Sequence, residues 1–118
     1  MDAYAITLDV DWAPDCAIEA AATSLIRHGV KATWFITHAS PVLELLRQHP
    51  GLFELGIHPN FLHGSTHGKE VPEILDHLMS IVPEARCLRS HDLYQSTRVF
   101  RTIMQRTPIQ VDLSLFLP

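Results

Sequence analysis

Cysteine is scarce in this sequence: Cys16 and Cys87 are the only two, and neither sits in a C-x-x-C or finger-type spacing. That excludes a cysteine-built zinc site, and both are read as reduced core thiols of a cytosolic chain. Positive charge is also short, with nine lysines and arginines against thirteen acids and a formal net charge of −4. Such a balance gives no electrostatic reason to expect nucleic acid or an anionic membrane as partner. No apolar run approaches the roughly 20 residues that span a bilayer. Asp2 follows Met1, and Asp9 and Asp11 interrupt the first apolar run, unlike a signal peptide. Repeats, linkers and low-complexity segments are missing too. The expectation is a cytoplasmic chain without membrane insertion, with one domain over 1–118 as the ceiling.

What is present is a core. Hydrophobic residues make up 47% and charged residues 19% of the 118, the profile of a globular protein. Residues 4–9 read as a buried strand ending in acids. Pro14-Asp15 offers a turn and an N-cap, and Ile18, Ala21, Ala22, Leu25 and Ile26 then follow at helical spacing up to Gly29. Residues 32–36 form a second strand. Ser40-Pro41 starts a short helix carrying Val42, Leu45 and Leu46 inward, and residues 53–57 form a third strand. The period of Val71, Ile74, Leu75, Leu78, Met79 and Val82 predicts a helix over 70–81. Residues 86–90 read as a strand, and Ser96 or Thr97 caps a helix with Val99, Phe100, Ile103 and Met104 inside. Residues 109–115 make a last strand. This alternation indicates a parallel sheet of βα units, whose working groups gather at the carboxyl ends of the strands.

The polar residues fall at those ends. The third strand runs through His58 into a loop that also carries His63 and His67, and neutral imidazole is the commonest metal ligand. Asp9 and Asp11 end the first strand, where residues two apart point the same way. Two carboxylates in one site repel unless a cation lies between them, which suits one as metal ligand and the other as general base. The blander reading has one acid capping a helix or pairing with an arginine. His63 and His67 compete for a further ligand position, with the balance toward His67. Arg89 is placed to hold a carboxylate through a bidentate contact, or is a surface arginine. His91 is a general acid or a pocket-lining residue. Asp112 supports Arg89 or the base from behind, or merely ends its strand. His28, His38, His49 and His77 are read as helix-end or surface residues.

These motifs resemble a family. Thr7-Leu-Asp-Val-Asp11 is similar to the Thr-Phe-Asp-Asp-Gly motif of the polysaccharide deacetylases, the NodB-homology carbohydrate esterases. Ala32-Thr-Trp-Phe-Ile36 resembles their Ala-Thr-Phe-Phe strand, and Glu54-Leu-Gly-Ile-His58 the entrance to their His-x-x-x-His motif. Arg89 to Tyr94 resembles their Arg-Pro-Pro-Tyr segment, and Val111-Asp112 a later strand. The fuller pattern is most similar to a WbmS-like branch associated with surface-polysaccharide loci. The resemblance spans nearly the whole chain. It implies an α/β fold, a partial (β/α) barrel of the glycoside hydrolase/deacetylase type, and a carbohydrate substrate from which an acetyl group is removed by amide hydrolysis. It implies Asp9 as catalytic base, Asp11 and His58 as ligands of a divalent metal, often zinc, Arg89 as the group orienting the base, and Asp112 near the site.

Departures accompany it. Val10 is inserted between the two acids, Leu62 stands where the family's second histidine falls, and Ser90-His91 replaces the two prolines. The family barrel is about twice this length, and its late Leu-x-His motif, which supplies the general acid, has no counterpart. The chain is therefore expected to be the N-terminal half of a barrel, truncated, split from a second chain or completed by association as a homo-oligomer. The alternative is a catalytically inactive fragment serving as a binding or structural module.

Overall fold

The structure is a computed structural model describing residues 4–115. Five strands, β1 (Thr7–Asp9), β2 (Ala32–Ile36), β3 (Phe53–Ile57), β4 (Cys87–Leu88) and β5 (Val111–Asp112), alternate with four helices, α1 (Asp15–Arg27), α2 (Val42–Arg47), α3 (Val71–Ile81) and α4 (Thr97–Arg106). The strands form one parallel sheet in the order β1-β2-β3-β4-β5. Sequence order without a reversal is how the wall of a (β/α) barrel is laid down, whereas a doubly wound sheet reverses at a switch point.

The two faces of the sheet differ. Ala32, Trp34 and Ile36, Phe53, Leu55 and Ile57, and Leu88 belong to the same buried cluster as Ile18, Ala22, Leu43, Leu46, Leu75, Leu78, Val99 and Ile103 of the helices. The helices therefore cover one face. The alternate residues Thr7, Asp9, Thr33, Phe35, Glu54, Gly56 and Cys87 lie on the other, as the twofold strand period requires. Gly56 is the narrow point of that face. A Cβ there would stand 2.7 Å from Cys87 Sγ, 2.8 Å from the Cys87 carbonyl oxygen and 2.9 Å from Phe35 Cδ1.

Local chemistry sets the helix ends. Gly29, at φ 64°, closes α1: its N–H donates to the Ile26 carbonyl while Val30 N–H reaches back to Leu25, the paired bonds of a Schellman ending. Ser96 caps α4 by accepting Val99 N–H, as expected. Asp15 does not cap α1. It is the first helical residue, and its carboxylate accepts the Ser40 hydroxyl at 2.6 Å, which ties the starts of α1 and α2 together.

Several expectations are corrected. Strand β1 begins at Thr7 rather than residue 4, because Tyr4 and Ile6 are exposed on an edge with only β2 as neighbour. Strands β4 and β5 shrink to two residues each. Beyond β5 the Asp112 carboxylate captures Ser114 N–H at 2.9 Å, a local turn that competes with the ladder. Phe100 and Met104 are 52% and 65% exposed, not inside. Helix α4 packs through Val99 and Ile103 alone, a stripe narrower than its apolar content suggested. Cys87 is buried but Cys16 is exposed, and both are free thiols.

Candidate metal centre

Three strand ends meet in an open cleft of about 420 Å³ lined by Asp9, Asp11, His58, Arg89 and His91 among others. His58 follows β3 directly and is buried. Its Nδ1 donates to the Arg89 carbonyl at 2.6 Å. A carbonyl can only accept, so Nδ1 carries a proton and Nε2 is the nitrogen turned outward. That nitrogen faces Asp11 Oδ1 at 3.2 Å. His91 Nδ1 approaches the same oxygen at 3.3 Å. One carboxylate and two imidazoles thus offer donor atoms within 4.8 Å of one another. Two acceptors at such a distance oppose each other unless a proton or a cation lies between them.

The donor set fits a divalent first-row ion. Imidazole with carboxylate suits zinc and its neighbours, and three protein ligands leave a coordination position open, as in catalytic rather than structural zinc sites. The His58–Arg89 carbonyl bond is the second contact that metal-binding histidines customarily make.

Asp9 stands beside this cluster with a different partner. Arg89 Nη1 donates to Asp9 Oδ1 and to Thr7 Oγ1, both at 3.0 Å, and Nε reaches the Leu113 carbonyl at 3.4 Å. The guanidinium carbon lies 4.7 Å over the Phe35 ring. Arg89 therefore crosses the uncovered face of the sheet to orient Asp9.

The remaining sequence candidates lie elsewhere. His67 is buried outside the donor cluster, with its Nδ1 accepting Asn60 N–H at 3.1 Å. Among the described residues its Nε2 has no hydrogen-bond partner, and burial pushes its pKa below the ordinary histidine value. His63 is exposed on the loop, also outside the cluster. Asp112 does not touch Arg89. Its Oδ1 accepts the Ser114 hydroxyl at 2.5 Å, and Ser114 Oγ accepts Ser90 N–H at 2.8 Å. It so braces the segment between Arg89 and His91 and lines a second, more apolar cleft with Phe61, Tyr94 and Phe100. Sequence reasoning assigned no role to Trp12 or Thr37. Trp12 stacks on His67 with centroids 5.3 Å apart and meets His91 edge-on at 5.2 Å. The available signals were Trp12's place directly after the second acid and Thr37's at the end of the second strand.

Fold and site together define a parallel α/β protein with an Asp-His-His donor cluster at the carboxyl ends of its strands. A family model described as WbmS-like polysaccharide deacetylase matches residues 6–118, and the chain belongs to that family. A crystal structure from Bordetella bronchiseptica, assigned as a polysaccharide deacetylase involved in O-antigen biosynthesis, is 39% identical with a TM-score of 0.86. The match covers 96% of this chain and 47% of that one. A CE4-family pseudoenzyme from Bacillus anthracis is 18% identical with a TM-score of 0.63, over 92% of this chain and 41% of that one. A mutant of that pseudoenzyme with restored enzymatic activity is 19% identical, with a TM-score of 0.65 and 92% and 43% coverage. At those identities the two share the fold alone. The chain spans about half the length of the solved relatives it matches. No curated protein sequence matches it.

Proposed function

We propose that this chain carries the metal-binding and base-bearing part of a zinc-dependent hydrolase that removes acetyl groups from an N-acetylated sugar. The observation that carries the reading is the convergence of His58 Nε2 and His91 Nδ1 on one Asp11 oxygen, with His58 Nδ1 held by the Arg89 carbonyl. Asp11, His58 and His91 are the proposed ligands, with His91 from the segment after β4 supplying the imidazole that Leu62 does not. When bound, the divalent ion would supply Lewis acidity toward the amide carbonyl and lower the pKa of water. Asp9, held by Arg89, accepts the proton of the attacking water. The new C–O bond forms as that proton leaves, and Asp9 returns it to the departing amine nitrogen as the C–N bond breaks. Residence in the cytoplasm belongs to the same reading; among the described residues no helix is long and apolar enough to cross a membrane.

The second reading is an inactive module; a CE4-family pseudoenzyme shares the fold at a TM-score of 0.63. Two measurements separate them. Zinc-loaded protein should take up one equivalent and His58→Ala far less. Acetate should be released from chito-oligosaccharides or acetamido-sugar nucleotides, and Asp9→Asn should abolish release while leaving zinc uptake intact. Stoichiometric zinc without acetate release favours the inactive module, and no uptake ends the metal reading.

A further inference from the structure

We propose that Trp12 is a positioning residue for the donor cluster and that Thr37 locks it in place. The inference rests on the metal reading above. Ala13 N–H closes on the Val10 carbonyl at 2.9 Å, so residues 10–13 form a β-turn. Its two central residues, Asp11 and Trp12, have φ of 46° and 57°. Positive φ at both central positions is the signature of a type I′ turn, which glycine, asparagine and aspartate populate readily. Aspartate suits its place. A tryptophan does not, because its Cβ is crowded in the left-handed region.

Something holds the turn against that preference. Trp12 N–H donates to Thr37 Oγ1 at 3.0 Å. Thr37, fully buried at the end of β2, also shares a hydrogen bond with His38 Nδ1 at 2.9 Å. The two contacts together hold its hydroxyl oxygen toward the turn. Two consequences follow for the cluster. The turn aims the Asp11 carboxylate at His58 and His91. The indole then fills the space between His67, stacked at an interplanar angle of 28°, and His91, met edge-on at 84°. Trp12 therefore follows one donor in the chain and fixes the ring plane of another. A local sequence preference is overridden where the side chain performs this task, the usual place for stored backbone strain.

The test uses the whole chain, with zinc affinity from chelator competition and the melting temperature without metal as readouts. Trp12→Gly suits the backbone and removes the ring. We expect it to keep a cooperative melt without metal while its zinc Kd rises at least about tenfold. Trp12→Phe should stay within roughly threefold of wild type. Thr37→Val should weaken zinc by about tenfold, and Thr37→Ser should restore it. If Trp12→Gly does not fold, the Thr37→Val and Thr37→Ser pair decides. Wild-type zinc affinity in both Trp12→Gly and Thr37→Val overturns the positioning role while leaving the metal reading intact. A wild-type chain that takes up no zinc, or a His58→Ala chain that binds as wild type does, ends the metal reading and this inference with it.

Discussion

Two carboxylates two residues apart serve different partners in this chain. Strand alternation alone would aim Asp9 and Asp11 the same way, but Asp11 lies beyond β1 in a left-handed turn. Asp9 goes to Arg89 and Asp11 to the imidazoles, yet both line one cleft. The two thiols diverge in the same fashion. Burial, reinforced by Glu54, pushes the Cys87 thiol up to about 12, so its reactive thiolate is withheld at neutral pH. Native protein at pH 8 should therefore yield one rapidly modified thiol, Cys16, with Cys87 reacting only on unfolding. The linkage has a definite sign. An acid whose folded pKa lies above its unfolded value of 9.0 keeps its proton better in the folded state. Stability from this group is intact below pH 9 and is lost as pH rises toward 12. A Cys87→Ala chain should show a shallower alkaline fall in melting temperature than wild type.

The elements obey their periods where neighbours enforce them. Strand β3 has a partner on both sides and helices over one face, so its five residues run as the pattern predicts. Gly56 within it is fixed by contact across the sheet rather than by a turn. Gly56→Ala should lower stability by about 1–3 kcal/mol through overpacking against Phe35 and Cys87, read as a drop in melting temperature. An unchanged melting temperature would mean that β3 and β4 part easily there. Helix α3 matches its predicted span because Ile74, Leu75 and Leu78 all meet the core. Helix α4 meets it through Val99 and Ile103 only, and its periodicity could not reveal how wide a stripe the neighbours would cover.

At the scale of the molecule, Arg89 joins parts of the sheet that are not neighbours. It leaves the end of β4, crosses Phe35 of β2, and binds Thr7 and Asp9 of β1 and the carbonyl of Leu113 beyond β5. Lysine keeps the charge but cannot reproduce a forked set of donors. Arg89→Lys should cost roughly 1–2 kcal/mol of stability, the pair being partly exposed, and should lower acetate release more than zinc uptake, since Asp9 rather than the donor cluster loses its partner. Equal losses in both would mean that Arg89 organises the whole cleft instead. The half-length coverage of the relatives belongs to this scale as well: the deacetylase activity of a whole family member is a proposal for this chain, while the family itself is not.

The alternating sheet, the helix over 70–81, the Ser96 cap and the gathering of Asp9, Asp11, His58 and Arg89 at strand ends were legible in the amino-acid order. Period and turn chemistry are properties of neighbours along the chain, so they can be read there. Which histidine joins Asp11 and His58 was decided only in three dimensions. His63, His67 and His91 all follow strands, and no spacing rule ranks them. The choice depends on a left-handed turn held by Thr37 from another strand, and on a loop whose His67 is turned to bond Asn60. Contacts between residues far apart in sequence settle such choices, because each costs or gains only a few kcal/mol against alternatives that are locally equivalent.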